Sequence, residues 1–236
     1  MAQATYRLSK VDGRYYFHDG KKYVLIDTGY GRTVSTDGTI GGFRVGMEDR
    51  RFLHRFNPTI MPDGSMVEAM LCPQTGYSCL LKNDDTVTID DDARTLPPHD
   101  WFIPYIINPW SAMPTQPFIE CKVEGKGKRL FFDSGMRLAV LDDKSLVEGK
   151  RKLGEIMERI GWKFMSTMAP YYKTTFEFPC GFRFDGHFEY DYSQRLLKDL
   201  FGKDHDNGFI GIEFFQQYDL FISAIDGKKG IAIIRR

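Results

Sequence analysis

The sequence predicts an all-β fold made of two similar halves, and three observations predict it. Runs rich in aromatic and β-branched residues recur along most of the 236 residues. Six of the eleven prolines fall between Ala93 and Pro117, a density that forbids a continuous helix or a central strand and marks a joint. On either side of that joint the same unit appears, a glycine-turned hairpin whose second strand runs into an acidic tripeptide.

In the first half, Arg14–His18 and Lys21–Asp27 read as strands separated by Asp19-Gly20, a strong two-residue hairpin signal. In the second, Pro117–Val123 and Lys128–Asp133 read as strands separated by the stretch 124–127. Further strand-like runs are Gly42–Gly46, Ser65–Leu71, Thr86–Ile89, Thr174–Phe178, Gly181–Tyr190, Tyr218–Ile225 and Gly230–Ile234. Two helices are expected, both in the second half. In Lys144–Ile160 the residues Leu146, Val147, Leu153, Ile156, Met157 and Ile160 recur at helical spacing, with Asp142 or Asp143 as cap and Gly161 as stop. In Ser193–Phe201 the stripe is Leu196, Leu197, Leu200 and Phe201, ended by Gly202. The expected organisation is an N-terminal β lobe over 1–92, a proline-rich joint over 93–117 and a C-terminal β lobe over 118–236. Trp101, Phe102, Tyr105 and Trp110 give the joint reason to pack against the body.

Composition bounds the function. With 42% hydrophobic and 14% aromatic residues the chain can bury a real core, which argues against disorder. Lys+Arg and Asp+Glu both number 32, so no whole-chain basic field attracts nucleic acid, and a nucleic-acid partner is not expected. No apolar run approaches the roughly 18 residues of a membrane span, and the first ten residues lack the apolar core of a signal peptide. The expectation is a chain with no membrane span, cytoplasmic or extracytoplasmic after leader removal. Cys72, Cys79, Cys121 and Cys180 are too few for a disulfide scaffold and form no C-x-x-C pair, so reduced thiols are expected.

The chemistry concentrates in the two tripeptides, Asp27-Thr28-Gly29 and Asp133-Ser134-Gly135. A carboxylate followed by a small hydroxyl residue and glycine at the end of a buried strand has a physical logic. The strand fixes the aspartate at the edge of the core, the hydroxyl braces the neighbouring loop, and glycine lets the backbone turn tightly. Two such loops facing each other bring the carboxyl groups close enough to share one proton. One then acts as base toward a water while the other polarises a carbonyl, with no metal or cofactor required. A lone Asp-Ser/Thr-Gly arises by chance in about one chain of this length in ten, so the signal lies in the pairing of two copies, each closing a hairpin.

These residues resemble the retropepsin-like aspartic proteases, in a single-chain form with two lobes. The resemblance rests on both tripeptides and on the stretch from Asn207 to Ile222, where Phe209-Ile210-Gly211 is similar to the family's second signature. It implies two β-barrel lobes related by a pseudo-twofold axis, with catalytic Asp27 and Asp133. It further implies loop support from Thr28, Gly29, Ser134 and Gly135, and a lobe-completing role for Phe209, Ile210 and Gly211. The implied activity is hydrolysis of an extended peptide or protein substrate by a monomer or homodimer. Two alternatives stand beside it: a degenerate fold that only binds peptide, and a homodimeric protease using Asp133 alone.

The first half departs from the pattern. Its nearest counterpart of the second signature is Gln74-Thr75-Gly76, where the two apolar residues are missing. Tyr30 and Met136 stand where the family has small residues, and their side chains are expected to narrow the groove. Arg32 and Arg137 lie near the tripeptides, and a guanidinium facing the carboxyl pair would favour its double ionisation. The resemblance implies a flap, for which Thr36–Gly46 and Tyr171–Tyr190, the latter turning at Asp185-Gly186, are candidates, with an ordinary hairpin as the plainer reading of each.

Other chemistry is weaker. Five scattered histidines give no metal pair on one helix face. The stretch 204–208 fails as a calcium loop, because Lys203 and Phe214 would occupy its first and twelfth positions. No phosphate loop or serine-hydrolase elbow occurs. Cys180 with His187 is an arithmetical possibility for a nucleophile and base, against the plainer reading of a core cysteine.

Overall fold

The computed structural model describes residues 3–106, 117–158, 167–190, 207–215 and 217–236. The first half carries β1 (Gln3–Val11), β2 (Arg14–His18), β3 (Tyr23–Ile26), β4 (Val34–Ser35), β5 (Thr39–Ile40), β6 (Phe43–Arg44) and β7 (Gly46–Met47). The helix α1 (Arg50–Phe56) follows, then β8 (Val67–Leu71), β9 (Ser78–Lys82), β10 (Thr86–Asp90) and β11 (Trp101–Pro104). Beyond the joint come β12 (Phe118–Val123), β13 (Lys126–Phe132), β14 (Ala139–Leu141), β15 (Gly154–Glu158), β16 (Thr167–Glu177), β17 (Arg183–Tyr190), β18 (Asn207–Ile210), β19 (Asp219–Ser223) and β20 (Gly230–Ile234).

Two large sheets result. One has eleven strands in the order β11-β20-β19-β9-β10-β1-β2-β3-β8-β4-β7, so the last two strands of the chain complete the sheet begun by the first half. The other has seven, β12-β13-β18-β14-β17-β16-β15. A pairing pattern recurs. β3 runs antiparallel to β2 and parallel to β8, β8 meets β4 antiparallel, and β4 meets β7 parallel. Likewise β13 runs antiparallel to β12 and parallel to β18, β18 meets β14 antiparallel, and β14 meets β17 parallel. The expected barrels appear as sheets. In the second, β12 reaches β16 only through Lys122 opposite Glu177 and Val123 opposite Phe176.

The hairpins follow their turn chemistry. Glu124 and Gly125 make the tight turn between β12 and β13, both at positive φ (51° and 79°), the combination that matches the strand twist. The β2–β3 connection is wider than the two residues expected. It spans 19–22, closed by the Asp19 N–H to the Lys22 carbonyl at 3.1 Å. In the joint, β11 is an edge strand paired only with β20, as its proline demands. Trp101 packs on Phe182 and Tyr218, and Tyr105 stacks on Phe132, so the described part of the joint belongs to the body.

The helix expectations need correcting. Lys144–Leu146 is a single 3-10 turn capped by Asp143, and Gly154–Glu158 is a strand paired with β16. Gly149 at φ 73° breaks the run. At Gly154 a Cβ would stand 2.8 Å from the Tyr171 ring, so the ladder needs glycine there. The helix expected at 193–201 lies outside the described residues. Among the described residues there is one α-helix, in the first half. Asp49 caps α1 by accepting the N–H groups of Arg51 and Phe52, and Leu53 alone is buried.

A continuous core joins the two sheets, with Phe17, Val24 and Ile89 from the first meeting Leu130, Phe132 and Phe188 from the second. Full burial of a Phe side chain is worth about 2–3 kcal/mol. These rings therefore hold the ends of β3 and β13 in register, and it is those ends that carry the tripeptides.

Candidate active site

Asp27 follows β3 and Asp133 follows β13. Each is rooted on the parallel neighbour of its strand: the Asp27 N–H donates to the Leu71 carbonyl at 2.8 Å, and the Asp133 N–H to the Ile210 carbonyl at 3.0 Å. From these roots the two side chains, 106 positions apart, meet in a mutual hydrogen bond.

The hydroxyl residues tie the loops together. The Thr28 N–H donates to Ser134 Oγ and the Ser134 N–H to Thr28 Oγ1, both at 2.9 Å. Each hydroxyl then donates onward across the junction, Thr28 Oγ1 to the Phe132 carbonyl and Ser134 Oγ to the Ile26 carbonyl, again at 2.9 Å. Both side chains are fully buried, so every one of these groups lacks water and depends on its partner.

The glycines serve a purpose other than the expected tight turn. Neither Gly29 nor Gly135 has a positive φ. A Cβ on Gly135 would stand 2.7 Å from Asp27 Cγ, and one on Gly29 would be 2.6 Å from Asp133 Oδ1. Each glycine is small because the opposite carboxyl group occupies the space a side chain would need.

Burial raises both carboxyl groups above their ordinary values. Asp133 is held well above, first by burial and then by repulsion from Asp27. Asp27 is raised less, because the bond from Asp133 and the backbone N–H groups of Gly29 and Tyr30 favour its charge. Those two N–H groups donate to Asp27 Oδ1 at 2.8 and 3.0 Å, whereas Asp133 Oδ1 receives the Gly135 N–H at 2.8 Å. Burial and mutual repulsion thus favour a pair that holds one proton between its two carboxyl groups, with the two N–H donors on Asp27 favouring negative charge there.

The cation beside the pair is one that sequence reasoning missed. Arg32 turns outward to an ion pair with Glu48, and the side chain of Arg137 lies against Gly13. Arg14, at the start of β2, is the guanidinium whose charge lowers both carboxyl groups. The hairpin itself held the signal. Pairing Tyr16 with Leu25 across β2 and β3 and continuing one same-face step puts Arg14 opposite Asp27.

Phe209 and Ile210 lie in β18 beside β13, and Gly211 follows. A Cβ on Gly211 would be 2.6 Å from the Leu138 carbonyl, so the loop after Asp133 closes on it. In the first half the equivalent pairing is made by β8, not by Gln74-Thr75-Gly76 as expected. Met70 and Leu71 supply the apolar pair and Cys72 stands in the glycine's place. The expected counterpart instead forms a 3-10 turn over Pro73–Thr75, from which Gln74 Nε2 donates to the Thr28 carbonyl at 2.6 Å. Burial and the neighbouring Asp27 push the Cys72 thiol well up, so it is a neutral packing group.

The surroundings differ from expectation in several places. Met136 is buried among Phe118, Phe131 and Phe209 and does not narrow a groove. Tyr30 is half-buried, its ring edge-on to Phe56 at 5.0 Å and its hydroxyl on Glu48; burial and that carboxylate push it up to about 12. The β5–β6 hairpin, the first flap candidate, is anchored: Ile40 and Phe43 are buried, and the Gly41 N–H donates to Asp19 Oδ2 at 3.0 Å. In the second candidate the turn falls at 178–182, and Asp185 and Gly186 lie within β17 opposite Thr175 and Thr174. Cys180, expected in the core, is exposed on that turn; the other three cysteines are buried, and all four are free. His187 is held by Glu213, Nδ1 to Oε1 at 2.9 Å. The two line a cavity of about 460 Å³ with Arg137, Leu138, Leu153, Glu155, Ile156 and Tyr171, beside the loop that follows Asp133. Among the described residues no cluster of three or more metal-ligating side chains occurs, and no helix is long and apolar enough to cross a membrane.

No family model matches the sequence, and no curated protein matches it. Among solved structures, the chain is similar to a retropepsin-like aspartic protease from Rickettsia conorii, with a TM-score of 0.36 at 11% identity over 59% of this chain and 97% of that one. The likeness is distant and of low identity.

Proposed function

We propose that this protein is an aspartic-type peptide hydrolase whose two lobes are related by a pseudo-twofold axis and meet at Asp27 and Asp133. The single observation that carries this reading is the hydrogen-bonded carboxyl pair, buried and braced by reciprocal Thr28 and Ser134 bonds. A buried pair that holds one proton is poised for acid and base work at once.

In the proposed cycle an extended peptide lies over the pair with a water between the carboxyl groups. Asp27 takes a proton from the water as its oxygen attacks the scissile carbonyl carbon, and Asp133 gives its proton to the carbonyl oxygen. The tetrahedral diol collapses as Asp133 takes a hydroxyl proton back and Asp27 passes its proton to the departing amine. The charge asymmetry favours this division of labour, since Asp27 receives the additional N–H donor. Pairing within one chain supports a single-chain enzyme over a homodimer that uses Asp133 alone. Phe209, Ile210 and Gly211 would complete the second lobe by holding the root of the Asp133 loop.

The test is cleavage of an unfolded-protein or peptide library at mildly acidic pH by the wild type and by Asp133→Asn. Cleavage by the wild type that is lost in the variant supports the reading. Equal cleavage by both overturns it, and wild-type inertness from about pH 3 to 8 with saturable peptide binding replaces it with the peptide-binding alternative.

A further inference from the structure

We propose that Arg14 is a positioning residue for the carboxyl pair, a half-buried arginine with a buried Nε, set against Asp27 where the β2–β3 ladder is continued, that balances the pair's negative charge and sets the pH range in which it is singly ionised. Its functional meaning rests on the hydrolase reading; its electrostatics do not.

The placement follows from two hairpins. Tyr16, Phe17 and His18 stand opposite Leu25, Val24 and Tyr23, so the same ladder continued outward sets Arg14 against Asp27. Directly opposed side chains in an antiparallel pair lie about 5 Å apart at Cβ. On its other side Arg14 pairs with Val11 across a tight turn in which Asp12 and Gly13 have φ of 51° and 76°. That turn rests on the second tripeptide's loop: a Cβ on Gly13 would be 2.8 Å from Arg137 Cδ. Arg14 thus sits where the first half's hairpin tip meets the second half's loop.

The bonding of Arg14 points the same way. Its Nε is buried without a hydrogen-bond partner. Such a group is retained only where something offsets its cost, and the two carboxyl groups it acts on supply that offset. Other ionisable groups nearby do not replace it. The Cys72 thiol is neutral, and Glu48 is engaged by Arg32 and the Tyr30 hydroxyl. Asp12 carries the opposite sign, and the stem of Arg137 packs against Gly13. Removing the Arg14 charge leaves the burial penalty on Asp27 and Asp133 with less to oppose it, so both protonations move to higher pH.

The experiment compares the full-length wild type with Arg14→Gln and Arg14→Lys, folded by circular dichroism, in two readouts. The first is the titration of the Asp27 and Asp133 carboxyl carbons by ¹³C NMR, which needs no turnover. Arg14→Gln is expected to raise both midpoints by about one pH unit or more, and Arg14→Lys to restore most of the shift. The second is the pH profile of peptide cleavage, both limbs of which move up in Arg14→Gln. Arg14→Met, which keeps the packing of the stem, gives the same comparison where the glutamine variant does not fold. Unchanged titrations in a folded variant overturn the role of Arg14 while an active wild type leaves the hydrolase reading intact. Shifted titrations in a wild type that cleaves nothing do the reverse.

Discussion

Thr28 and Ser134 exchange hydrogen bonds in both directions, each N–H donating to the other's hydroxyl at 2.9 Å across 106 positions of chain. Because each hydroxyl also donates to a carbonyl preceding the opposite loop, deleting one orphans a buried N–H and a buried C=O together. Each orphaned group costs about 1–3 kcal/mol, so Thr28→Val and Ser134→Ala should each destabilise by roughly 2–6 kcal/mol in urea unfolding. The two deletions remove different bonds of one junction, so a double-mutant cycle should show a coupling energy of about 0.5 kcal/mol or more between them. Additive losses would mean the two loops are braced independently.

Gly135 gives a sharper test of the geometry. Its missing side chain is the space held by the Asp27 carboxyl group, with 2.7 Å between the would-be Cβ and Asp27 Cγ. Gly135→Ala must push the pair apart. Overpacking costs about 1–3 kcal/mol, which leaves the fold intact and separates the carboxyl groups, so cleavage should fall at least 100-fold while the unfolding transition stays cooperative. An alanine variant with wild-type turnover would show that the close approach is not used.

What could be seen in the sequence was local. The glycine-turned hairpins and the two tripeptides are coded within a few residues, so β2, β3, β12 and β13 were legible with their boundaries nearly right. What was not legible depends on distant partners. The short β14 is a strand because β17 and β18 flank it, and three residues show no period. The run from Leu146 to Ile160 has helical spacing, yet the long edge of β16 and the close approach of Gly154 to Tyr171 make its middle a strand. Helix α1 has seven residues and one buried position, too few for a stripe; its signal was the cap at Asp49. In the first half the parallel partner of β3 was hidden because Met70, Leu71 and Cys72 include no glycine of the kind that follows β18.

The raised carboxyl groups predict how stability varies with pH. A group whose folded value lies above its unfolded value contributes stability that is fully present below the unfolded value, near 3.8, and lost as pH rises through the folded value. Asp133→Asn removes the more strongly raised of the two while keeping a donor toward Asp27. The variant should match the wild type in melting temperature at about pH 3 and exceed it at about pH 8. A difference that stays constant between those limits would contradict a raised carboxyl group at Asp133.

The anchored β5–β6 hairpin predicts an element that does not open. Lys22, 4% exposed at its side chain, reaches Asp37 at 2.5 Å and Asp19 at 3.9 Å. Asp19 holds the hairpin tip through the Gly41 N–H, and Tyr6 donates to the Gly41 carbonyl at 3.2 Å. The bond from Lys22 keeps the Asp37 carboxyl far below the usual range, so its contribution is present above about pH 4 and lost as pH falls. Breaking a fully buried pair costs about 3–5 kcal/mol; with Asp37 half exposed, Lys22→Met should cost about 2–3 kcal/mol. In the wild type the Gly41 and Val45 amides, bonded to Asp19 and to the Gly38 carbonyl, should exchange as slowly as amides of the central strands, and Lys22→Met should speed both. Fast exchange in the wild type would restore this hairpin as a flap over Asp27, and protection would leave closure of any groove to other segments.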